Sequence, residues 1–207
     1  MRRRRMIEIE CHFMTPKEFT NTITTPRACD ITACITHQSS FHVSAWYYAE
    51  AAKMLARHLN EDGFFIDVGV HPICFLYRHS LELQFKQIVL DGRRLVGKDA
   101  RVKQLCDSHA LTPLWEEIEA IINKVWPELP FPDEALLVRE VVAWFQEADP
   151  GSFAFRYPFD KNLQASLSDV RHINLSTLVD AMEESQRFLN GVASAIGEYL
   201  SAQSNAW

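Results

Sequence analysis

Between Pro72 and Asp91 the residues Cys74, Tyr77, Leu81, Phe85 and Ile88 recur at three- and four-residue spacing, the period of a helix with one broad apolar face. The same stretch carries Arg78, Glu82 and Lys86 at successive i, i+4 steps, a polar ladder on a single face of that helix. A strand would scatter both sets over two faces, so this segment admits a helix.

The rest of the chain repeats the pattern. Trp46, Ala49, Leu55 and Leu59 follow Ser44, a residue that can cap, and Asn60-Glu61-Asp62-Gly63 closes that first helix. Pro72 suits the start of the second helix and Asp91-Gly92 its end. Residues 93–107 are basic and contain glycine, which predicts a loop or short insert. A third helix opens at Ser108 or Thr112, with Pro113 in its first turn, and runs to Trp126 before Pro127, Pro130 and Pro132. A fourth spans Asp133, as cap, to Ala148. Asp149-Pro150-Gly151-Ser152 is a turn, and Phe153–Pro158 is short and extended. The last helix covers Ser176 to Ser201, with Leu178, Met182, Phe188, Leu189, Val192, Ile196 and Leu200 inward. The expected fold is all-α, an up-and-down bundle of about five helices over residues 44–207 behind an irregular extension at 1–43.

Composition narrows the function. Hydrophobic residues make up 47% of the 207, enough for a real core. Seven glycines are too few for a phosphate-cradling glycine loop or a turn-rich sandwich. A net charge of -6 argues against broad wrapping in nucleic acid but leaves room for a local basic groove. Five irregularly spaced cysteines suggest reduced thiols and a cytoplasmic protein. Arg2 to Arg5 resemble the start of a signal peptide, yet Glu8 and Glu10 stand where an apolar stretch should follow. No run is long enough to span a membrane.

Cys29, Cys34, His37 and His42 form a Cys-x4-Cys-x2-His-x4-His series of zinc-compatible residue types. The stretch has no knuckle glycine, and free thiols and histidines in a packed loop are the plainer reading. Cys74 belongs to the apolar face, and no serine or cysteine has the elbow or oxyanion-hole glycine of a nucleophile. The candidate site is therefore polar. Arg78 could grip an anion while Glu82 fixes it or orients His79, and Arg156 would approach from the 153–158 segment. The bland alternative is a solvated face of weak ion pairs.

The run Tyr77-Arg78-His79-Ser80-Leu81-Glu82-Leu83-Gln84-Phe85-Lys86, followed after a loop by His109-Ala110-Leu111 and Leu114-Trp115, resembles the HEPN family of small helical bundles. Phe155-Arg156-Tyr157-Pro158-Phe159-Asp160 is similar to the Arg-Tyr-Pro-Asp segment of its non-nuclease members. Ala110 departs from the usual Asp, and Phe159 is inserted before Asp160. The resemblance covers residues 44–200 and implies a cytoplasmic homodimer that binds a nucleotide or RNA phosphate group, in a toxin–antitoxin or defence setting. It points to Arg78, His79, Glu82, Lys86, His109, Arg156 and Tyr157 as ligand-binding residues, with neither metal nor cofactor. Family nucleases share an arginine followed by a histidine about four to six residues later, for charge stabilisation and acid–base work. Here Arg101 and His109 have seven residues between them, Arg5 and His12 lie in the tail, and Arg171-His172 are adjacent. The nuclease spacing is absent, which leaves a divergent RNase or a partner-binding homodimer as alternatives.

Overall fold

The computed structural model describes residues 40–62 and 66–205, which fall within one compact unit. Among the described residues there are six helices and no strand: α1 (Phe41–Asp62), α2 (Ile66–Leu95), α3 (Val102–Cys106), α4 (Leu111–Val125), α5 (Asp133–Ala148) and α6 (Leu175–Ser204). The all-α bundle expected from helical periodicity is present. Arg2–Arg5, His12, Cys29, Cys34 and His37 lie outside the described residues.

The 30-residue α2 is the axis of the bundle. It packs on α1, α4 and α6, while α5 bridges α4 and α6. Such a position demands a helix that is buried all round at its middle. From Ser80 to Lys86 every residue is buried. Cys74, Tyr77, Leu81, Phe85 and Ile88 form the expected inward face, and burial pushes the Cys74 thiol up to about 12. That cysteine is core.

The first helix differs from expectation at both its start and its inner face. It begins at Phe41, because the Phe41 N–H donates to Gln87 Oε1 of α2 at 3.1 Å, so a neighbouring helix caps it and Ser44 falls within the first turn. Its buried face is Ala45, Ala49, Ala52, Ala56 and Leu59, whereas Trp46 is 57% exposed. Small residues bring α1 close to α2. At Gly69 an added Cβ would collide with Leu59 Cδ1.

Pro72 does not start α2 but sits inside it. Pro72 and Val68, four residues earlier, are both exposed, so the carbonyl deprived of its i→i−4 donor has water available. Asp91-Gly92 does not end the helix either. Gly92 is buried against α4, and the positive φ of 71° falls at Gly97, beyond the helix end. The 93–107 stretch, expected as a loop, holds the last turn of α2 and the short α3. At the next two starts, Ala110 and Pro132 are the caps, with Pro113 third in α4 and Asp133 first in α5. Ala110 offers no capping oxygen, and Gln146 Oε1 of α5 instead accepts from Leu111 N at 3.0 Å. The Phe153–Pro158 segment is a tight turn rather than extended, since the N–H groups of Arg156 and Tyr157 both donate to Phe153 O.

Gly92 gives a direct test of the α2–α4 contact. A Cβ there would lie 2.6 Å from Ile121 Cδ1 and 2.8 Å from its Cγ2. Gly92→Ala should therefore lower stability by about 1–3 kcal/mol through overpacking, against the gain of under about 1 kcal/mol that alanine brings to an open helix. Urea unfolding of Gly92→Ala, with and without Ile121→Ala, measures it. The second substitution should relieve part of the strain, giving a non-additive pair.

Candidate functional site

Ion pairs on a helix surface are weak because water competes for both partners. The Arg78–Glu82–Lys86 ladder is not on a surface. The side chains of Arg78 and Glu82 are 0% and 1% exposed, and Lys86 is buried with them. Burial removes the hydration of all three charges, so each must be answered by the protein itself.

The answer comes from three stretches of chain. Arg78 Nη1 donates to Glu82 Oε2 at 3.2 Å, and its Nε donates to the main-chain oxygen of Asp149 at 2.9 Å. Its Nη2 donates to His109 O at 2.9 Å and to Pro150 O at 3.4 Å. The Asp149 carboxylate adds an ion pair, Oδ2 lying 3.6 Å from Arg78 Nε, while its Oδ1 accepts from Ala154 N at 2.8 Å. Burial pulls the guanidinium down from its ordinary pKa, and the charges of Asp149 and Glu82 act against that pull. The fork is thus turned inward, joining α2 to the segment before α4 and to the turn after α5.

Glu82 is the other hub. Its Oε1 accepts from Lys86 Nζ at 2.7 Å and lies 3.0 Å from His109 Nδ1. Burial raises the carboxyl, but the Lys86 and His109 hydrogen bonds and charges outweigh it and hold Glu82 below the usual carboxylate range. The carboxylate orients His109 rather than His79. The His109 side chain is itself 58% exposed, so the pair joins a buried anion to an accessible ring.

His79 belongs to an aromatic row running along the same region. It packs edge-on against Tyr48, with centroids 4.5 Å apart, and parallel to Phe75 at 5.7 Å. The Arg156 guanidinium carbon lies 5.3 Å from the Phe75 ring centre and 5.5 Å from that of Tyr157, and Tyr157 stacks on Phe153 at 4.4 Å. Arg156 hydrogen-bonds the Ser152 carbonyl, which fixes its direction without joining it to Glu82. Burial, then the cations Lys86, Arg78 and Arg156, lower the His79 pKa against the opposing charge of Glu82. The histidine also borders a cleft of about 550 Å³ with Tyr48, Leu83, Gln87, Arg94 and Cys106. A larger cleft, about 680 Å³, lies between α1, α2 and α6, but neither histidine, Glu82 nor either arginine lines it.

All seven residues singled out in the sequence thus fall in two connected groups: Arg78, Glu82, Lys86 and His109 in the buried cluster, His79, Arg156 and Tyr157 in the row beside it. Sequence reasoning missed Asp149, Phe75 and Tyr48. Asp149 lies 71 positions from Arg78, and in the sequence it reads only as turn chemistry. Arg101, Arg171 and His172 are exposed. Among the described residues no group of His, Cys, Asp and Glu could hold a metal ion, and no helix is long and apolar enough to cross a membrane. Comparison with family models, with curated proteins and with solved structures finds no match.

Two outcomes follow from the burial of the cluster. Glu82→Gln leaves Lys86 desolvated without its counter-charge and Arg78 with Asp149 alone, so the melting transition should fall by an amount equivalent to about 3–5 kcal/mol, far above the ~1 kcal/mol of an exposed pair. The pH dependence has a definite sign. His79 and Glu82 both titrate below their ordinary values of 6.5 and 4.5, so in acid the unfolded chain takes up protons first. Stability from these groups is complete above 6.5 and declines as pH falls, first through His79 and then through Glu82. Thermal melts across this range should show both stages, and His79→Gln should remove the upper one.

Proposed function

We propose that this chain is a HEPN-like helical module that binds a phosphate-bearing ligand, a nucleotide or an RNA segment, at the surface formed by His109, His79, Arg156 and Tyr157. One observation carries the reading: exposed groups are held in fixed directions, His109 by a buried charge cluster and Arg156 by the Ser152 carbonyl and two ring faces. His109 is tied to Glu82, and Arg156 is laid between Phe75 and Tyr157. A preset donor loses little side-chain entropy when an anion arrives, and aromatic rings give a base a stacking surface. In this arrangement Arg78 and Lys86 act from beneath, through Glu82, and the direct ligand contacts belong to the outer row. The departure from the arginine–histidine spacing of family nucleases favours binding over cleavage, and the His109–Glu82 pair is the feature that keeps a divergent RNase as the second reading.

Isothermal titration with a panel of nucleotides and short single-stranded RNAs tests this. At least one ligand should bind saturably, with affinity that falls as salt rises. Arg156→Ala should weaken it by about tenfold, the loss of a charge-assisted contact, and His109→Ala should also weaken it by removing a fixed ring from the surface. Absence of binding by every ligand, or binding indifferent to both substitutions, would overturn the proposal. Incubation of total RNA with the wild type and with His109→Ala separates the second reading. Cleavage lost in the variant would support it.

A further inference from the structure

The His109 ring has one nitrogen committed and one available. Both oxygens of Glu82 accept: Oε2 from Arg78 Nη1, Oε1 from Lys86 Nζ. A carboxylate supplied this way stays ionised and can only accept from His109 as well, so the neutral ring carries its proton on Nδ1. The lone pair is then on Nε2, at the ring edge opposite the buried contact. The side chain as a whole is 58% exposed, and Nδ1 is the nitrogen turned to the buried Glu82.

A neutral imidazole whose Nδ1–H faces a buried carboxylate is a good nitrogen nucleophile, because the cation formed on attack is met by a fixed negative charge. The surroundings select the electrophile. Within the cluster Arg78 and Lys86 offset Glu82 and Asp149, and Arg156 in the adjoining row adds a further cation, so the local field favours an approaching anion. A phosphoryl group is both anionic and electrophilic. We infer that His109 Nε2 is a phosphoryl-acceptor site, modified by small donors with a labile P–N or acyl P–O bond. The inference rests on the reading that this surface receives phosphate groups.

The step balances simply. The Nε2 lone pair forms an N–P bond, and the donor's P–N or P–O bond breaks with its electron pair leaving on nitrogen or oxygen. The leaving group of phosphoramidate takes protons from water and departs as ammonia, while that of acetyl phosphate departs as acetate. The ring keeps its Nδ1 proton, and the resulting positive charge is paired with Glu82.

The test treats the full chain with phosphoramidate and, separately, acetyl phosphate, and locates the adduct by intact mass and peptide mapping under alkaline conditions. One acid-labile phosphoryl group should appear on His109 at least about tenfold faster than on the remaining histidines, as oriented activation requires. His109→Gln should abolish the fast phase, His172→Gln should leave it, and inorganic phosphate should slow it by competition. No adduct, or equal labelling across the histidines, overturns the inference. Labelling that persists where titration finds no nucleotide or RNA binding would uphold His109 as acceptor and overturn the binding reading. Nucleotide binding without labelling does the reverse.

Discussion

The Arg78 guanidinium has no contact with solvent, and acceptors from three separate parts of the chain converge on it: Glu82 one turn along α2, the His109 carbonyl ahead of α4, and Asp149 with Pro150 beyond α5. A buried cation without such acceptors would favour hydration over packing. With them, the charge links elements that apolar contacts alone would only press together. Apolar burial is indifferent to direction, whereas a planar fork with fixed donors specifies where each acceptor must lie. The three segments that receive it are those that position His109 and begin the turn bearing Arg156.

Glu82 extends this control to the surface. It sits between two cations within the bundle and a ring at its edge, so the carboxylate transmits the order of the interior to His109. Arg156 is steadied differently, by a carbonyl of its own turn and by two ring faces. The two outer groups thus owe their directions to different devices, one electrostatic and one of stacking. That independence lets either be altered without dissolving the other.

Much of this was legible in the chain. The inner faces of α2 and α6 follow from three- and four-residue spacing, and the Asp133–Ala148 boundaries of α5 match the proline break before and the Asp-Pro-Gly turn after. The Arg78–Glu82–Lys86 ladder was visible because i, i+4 partners are a local matter. Its burial was not, since the residues that exclude water from it lie on other helices. The same blindness to distant packing explains Gly92, which looked like a stop and is a place where Ile121 of α4 comes close. It explains Trp46 too: the apolar period was real, but on α1 the alanines face inward and the large ring does not. Where the cap of one helix comes from another, as Gln87 serves Phe41 and Gln146 serves Leu111, no nearby residue announces the start.

The distance along the chain between Arg78 and Asp149 has a consequence for the order of assembly. The helical hairpin of α1 and α2 forms from near neighbours and can collapse early, yet the guanidinium on its flank has then met only Glu82. Its remaining acceptors arrive when α4 and the end of α5 dock. Until that moment water must stay at the charge, because expelling it would leave donors unmatched in an apolar setting. Dehydration of this side of α2 therefore follows the docking of α4 and of the 149–150 turn. A chain that collapses with the 149–150 turn misplaced retains a wet seam in its middle, which gives correct docking an advantage over near-misses of equal apolar contact.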